Sequence, residues 1–212
     1  MKTKLFATVV LALVMALAFT GTPAIAGRAA KTESPKAVEL REALRDLWIG
    51  HIFWVRSVVL SSRYGDTGAA KVAEENAVEN AKAIADSMVA FYGESAGKKL
   101  FDLLAGHYGA VKEYMSAAYA MDAGAKEAAS KKLVANANEI AGFLSSANPN
   151  WPRTTLTSLL SAHGAHHIKQ IDALAEKSYS SEAETWTEMK GHIYIIADAL
   201  AAGIVKQFPR KF

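Results

Sequence analysis

The chain has 212 residues, a formal net charge of +3, 51% hydrophobic residues and no cysteine. The lack of cysteine excludes disulfides, thiolate metal sites and covalent c-type haem. Lys and Arg alternate with Asp and Glu and form no basic tract, so no nucleic-acid partner is indicated.

Residues 1–26 read as a secretory signal. "MKTK" is the basic start, "LFATVVLALVMALAF" the apolar run, and "TPAIA" the small residues before a cleavage site near Ala26. The run is short for a span of roughly 20 residues, and no charged stop follows it. The expected product is exported, to the periplasm or beyond, with no integral membrane span after processing. Residues 27–36 are expected to form a flexible mature N-terminus, and 37–212 a single helical domain.

From there the composition and periodicity are helical throughout. Turn signals at "YGD" (64–66), "YGES" (92–95), "MDAG" (121–124), "ANPNWP" (147–152) and "KSYSS" (177–181) divide the chain. They predict helices over 36–63, 67–91, 95–120, 125–146, 153–177 and 182–207. The first carries His51 on its apolar stripe, the second Asn80, the third His107. The fourth carries Asn136, with Glu139 three residues on. The fifth carries His163, His166 and His167, and the sixth Met189 and His192.

These residues recur at one offset. His51, His107 and His163 lie 56 apart, and so do Asn80, Asn136 and His192. Leu47, Leu103 and Leu159 match, as do Ile84, Ile140 and Ile196. The pattern is a threefold αα-hairpin repeat, at about 37–92, 93–148 and 149–207, and it predicts an all-α, six-helix up-down bundle. Each His–Asn or His–His pair is centred on its turn, roughly 22 Å away at ~1.5 Å per residue. Six polar residues are therefore expected at one level of the bundle.

A buried polar layer costs about 1–3 kcal/mol for each group without a partner. Either the groups satisfy one another and fix helix register, or they hold a ligand. The ligand reading is preferred, with His51, His107, His163 and His192 as metal ligands and Asn80 and Asn136 completing the layer. Glu139, His167 and Met189 are the supporting candidates. His167 either widens the site or meets solvent, since its equivalents are Val55 and Val111. Imidazole suits copper and zinc, whereas a di-iron centre needs more Glu than the stripes offer. Non-covalent haem stays open. No nucleotide-binding or catalytic motif is present, so the reading leans away from an enzyme. The alternative is a non-catalytic structural or interaction protein whose layer only sets register.

The stretches "LRDLWIGHIFWVRSVV", "FYGESAGKKLFDLLAGH", "VANANEIAGFLSSANPNW" and "GIVKQFPRKF" resemble a group of small bacterial all-helical proteins of unknown function. Some members carry glycosyltransferase or acetylglutamate kinase labels, which this sequence does not support. The resemblance implies a helical fold. It also implies that His51, His107, Asn136, Glu139 and His163 are shared features and that His192 is less general.

Overall fold

The computed structural model describes residues 33–212, and the expected signal segment lies outside them. Six helices are described: α1 (Pro35–Arg63), α2 (Thr67–Tyr92), α3 (Glu94–Tyr119), α4 (Ala123–Ala147), α5 (Arg153–Ala175) and α6 (Tyr179–Gln207). Among the described residues there is no strand. No helix there is long and apolar enough to cross a membrane.

The helix starts have local causes. α1 begins inside the stretch expected to be flexible, because Ser34 and Pro35 form a start signal. Ser34 Oγ accepts the Ala37 N–H at 3.2 Å, and proline at the first helical position has its φ already set. Asp66 and Asp122 cap α2 and α4 by accepting from Ala69 and Ala125 at 2.8 and 2.9 Å. Between α1 and α2, α3 and α4, and α5 and α6, one residue turns the chain with left-handed backbone. It is Gly65 at φ 74°, Met121 at 57° and Lys177 at 59°, again 56 residues apart. This tight reversal explains why α6 starts at Tyr179 rather than near 182.

Only the first of these positions is a glycine. A side chain in left-handed backbone costs roughly 1–2 kcal/mol, partly offset by the entropy that glycine loses on folding. Met121 is 88% exposed, so little packing is lost with its side chain. Met121→Gly is expected to stabilise the protein by up to about 1 kcal/mol. A lower urea midpoint for the variant would refute this.

Each helix packs on the next, and α6 returns to α1 to close the ring. Short connections make sequential neighbours antiparallel. The odd-numbered helices also touch one another, so α1, α3 and α5 line the centre. Buried apolar side chains form two clusters. One holds Leu44, Trp48, Leu100, Leu104, Leu156 and Leu160 among others. The second holds Val55, Val58, Val111, Tyr114, Ile171 and Leu174, toward the left-handed turns. Trp151 is buried at the far end of the first cluster, and its indole N–H donates to Ala199 O at 3.2 Å. Gly203 leaves the room for that ring, since a methyl there would overlap it. The boundary between the two clusters passes through the level of the histidines.

Candidate metal centre

The central stripe of α1 runs Leu44, Trp48, His51, Ile52, Val55, all buried. The same spacing on α3 buries Leu100, Leu104, His107 and Val111, and on α5 Leu156, Leu160, His163 and His167. His51, His107, His163 and His167 are each at most 4% exposed. One ligand nitrogen from each can be chosen so that all lie within 4.8 Å of one another. His163 Nε2 is 3.4 Å from His51 Nε2 and 3.1 Å from His167 Nε2. Ring centroids of His51, His107 and His163 are 5.5, 5.6 and 6.3 Å apart. His167 caps this triangle, with centroids 4.5, 5.8 and 5.9 Å from the other three.

Two checks bear on what such a cluster can do. Four nitrogens at ~2.05 Å from one ion in tetrahedral array stand about 3.3 Å apart, and the two close contacts bracket that spacing. The second check is the hydrogen-bond inventory. A neutral imidazole nitrogen offers one in-plane proton or one lone pair. His163 Nε2 therefore completes only one of its two contacts with good geometry. His107 Nε2 is buried with no partner, and so are Nδ1 of His163 and His167. The rings do not satisfy one another as a closed set. No family model, curated protein or solved structure matches the chain.

Not every expected residue is at the centre. His192 lies on the outer helix α6, half-buried, with Nε2 2.8 Å from Leu159 O. Its counterparts repeat that contact: Asn80 Nδ2 donates to Leu47 O at 3.0 Å, and Asn136 Nδ2 to Leu103 O at 2.9 Å. These three residues tie each outer helix to an inner one. The glycines before two of the histidines admit the amides. A Cβ on Gly50 would stand 2.8 Å from Asn80 Nδ2, and one on Gly106 3.4 Å from Asn136 Nδ2. Glu139 is exposed, in a surface groove with Lys99 and Arg153, and is no supporting group for the buried histidines. Met189 is fully buried among the apolar residues of the first cluster. His166 is half-buried, its ring 5.3 Å from that of His192 and outside the cluster. Arg56 forks onto Glu182 at 2.6 and 2.8 Å, not onto Glu139, and holds that carboxyl below its ordinary range. Gln170 donates to the same carboxylate at 2.9 Å.

Asn136 has a second role. With Nδ2 committed to Leu103 O, its Oδ1 faces His107 Nδ1 at 3.2 Å. The ring must then carry its proton on Nδ1, which leaves the Nε2 lone pair free as a ligand. Orientation of this kind typically carries 10–100-fold in metal affinity. Asn136→Ala is expected to weaken metal binding by about that factor and to cost about 1–3 kcal/mol of stability. Competition titrations against a coloured chelator would show it, and unchanged affinity would remove Asn136 from the site.

Burial also sets the charge. Desolvation, with a smaller effect from His107, pushes His51 down to about 3. Desolvation takes His107 down to about 4, against the opposing effect of the hydrogen bond it donates to Asn136. His163 and His167 are lowered well below their ordinary value, by burial first and by neighbouring imidazoles second. All four are neutral at pH 7, the state in which imidazole binds metal.

Proposed function

We propose that this chain is an exported binding protein that holds one metal ion, copper or zinc, on His51, His107, His163 and His167. The observation behind this reading is the convergence of four buried, neutral imidazoles from three helices. Their close nitrogen contacts match one tetrahedral ion, and their lone pairs lack enough protons to pair among themselves. Nitrogen-only ligation also suits an exported chain without cysteine, since imidazoles survive where thiolates oxidise. A haem has little support, because the cavity beside the histidines is only about 10 Å³. The three hairpins are in this reading copies of one unit, with His167 the ligand that breaks their equivalence. The role is capture of the ion, with no turnover assigned.

The test uses untagged protein stripped with chelator and titrated with Zn(II), Cu(II) or Cu(I). One ion per chain is expected. Saturation at about 1,000 times Kd adds about 4 kcal/mol, which for a chain of this size is a rise of about 10 °C in Tm. A melt unmoved by any of these ions would leave the purely structural reading of the layer.

A further inference from the structure

The four histidines bring no negative charge to an ion. An imidazole binds metal as the neutral ring, and the cluster holds no carboxylate. The surroundings add none. Among the described residues Glu182 is the one buried acid, and Arg56 is forked onto both of its oxygens at 2.6 and 2.8 Å. Asp172, partly buried on α5, pairs with Lys126 at 2.7 Å. The cavity beside the histidines is about 10 Å³, the size of one water, and leaves no room for a counter-ion such as chloride.

We infer that the site selects the monovalent ion Cu(I) over Zn(II) and Cu(II), and shields it from direct contact with dioxygen. This rests on the metal reading above. Imidazole suits both metals, so the donor type does not choose between them. Charge does. The cost of moving an ion from water into a low-dielectric interior rises with the square of its charge, so a dication costs about four times as much as a monocation. Zinc sites commonly offset that charge with a thiolate, a carboxylate or a bound hydroxide. Here no such group stands in the cluster. Geometry adds a second bias, against Cu(II). That ion favours tetragonal surroundings, whereas the contacts of 3.4 and 3.1 Å at His163 Nε2 suit a tetrahedron. Four nitrogens fill a tetrahedral coordination sphere, and the rings are at most 4% exposed. Dioxygen then has no position at the metal from which to take its electron directly.

The experiment takes untagged mature protein and equilibrates it with Cu(I) under argon, with Zn(II) or with Cu(II), each against a competing chelator of known affinity. Cu(I) is expected to bind at least about 100-fold more tightly than either dication. At about 59 mV per tenfold, the bound copper couple should lie at least about 120 mV above that of aqueous copper. Cu(I)-loaded protein moved into air should keep one copper per chain and stay silent in electron paramagnetic resonance. His167→Val, given enough Cu(I) to hold one ion per chain, leaves three ligands and an open position. It should develop a Cu(II) signal in air sooner than the wild type. A smaller affinity ratio against either dication would overturn the preference and leave the four-histidine site standing. Equal rates in air, or a slower variant, would overturn the shielding. Oxidation of the wild type in air would also overturn it, whether or not the variant takes up copper. Binding of none of the three ions would sink the metal reading, and this proposal with it.

Discussion

Between pH 7 and pH 5 the metal-free protein is expected to lose a large part of its stability. In the unfolded chain each of the four histidines titrates near 6.5. In the folded chain His51 is held down at about 3 and His107 at about 4, and His163 and His167 well below 6.5. The sign follows from proton counts. Above 6.5 neither state binds these protons, and the stability is fully present. As the pH falls below 6.5 the unfolded state takes up protons that the folded state refuses, so stability drops until the folded values are reached. At pH 5 a group held at about 3 or 4 contributes about 2 kcal/mol of loss, so His51 and His107 together remove about 4 kcal/mol, and His163 and His167 act in the same direction. Domains of ordinary stability have about 5–15 kcal/mol to lose. Melts followed by circular dichroism with chelator present should show Tm falling steeply from pH 6.5 downward. A bound ion should shift the onset to lower pH, because protons must then displace it. A Tm that is flat from pH 7 to pH 5 would mean that the rings are not buried as neutral groups.

The second large effect is expected from His167→Val. Valine occupies the equivalent places on α1 and α3, and both Val55 and Val111 are buried there. If the layer holds a metal, the substitution removes one of four ligands. Affinity should then fall by more than about 100-fold, beyond the usual cost of losing an outer-shell partner. Metal-free stability should move the other way. His167 Nδ1 is buried without a partner, and its removal lifts about 1–3 kcal/mol, less a smaller amount for imperfect filling of the space. A net gain of roughly 1 kcal/mol is expected. A self-contained hydrogen-bonded layer gives the opposite result, a loss of about 2–4 kcal/mol whatever the metal, through a stranded partner and a void. Urea melts of both proteins, with chelator and with Zn(II), separate the two.

Much of this was legible in the sequence because helices, turns and repeat share one period. The 56-residue offset placed His51, His107 and His163 at one level, and they do converge. His192 satisfied the same arithmetic and still fell outside. The arithmetic gives height along a hairpin, not distance from the bundle axis, and α6 packs on the outside of α5 and α1. His167 carried a usable signal, since Val55 and Val111 at its register are apolar and an apolar position faces inward. Glu139 was read as near the layer by sequence distance, but three residues along an outer helix turned it to solvent. The Arg56–Glu182 pair joins residues 126 apart, and no local pattern announces it. The short side-chain ties from Asn80, Asn136 and His192 were hidden for another reason: their acceptors are backbone carbonyls, which every residue has.

The near-complete burial of the four histidines bears on how an ion would come and go. With His51 and His107 4% exposed, His163 2% and His167 1%, almost none of the cluster's surface is open to solvent. An ion held there could leave only when the inner helices part, so its residence time would be set by opening of the bundle, not by the strength of the metal–nitrogen bonds. Opening of a packed core is steeply activated, with rates that rise about 3–6-fold per 10 °C. Uptake by the folded chain and release to a chelator would then both be slow, would quicken on warming, and would need incubation long enough for the bundle to open before a titration or a melt is read.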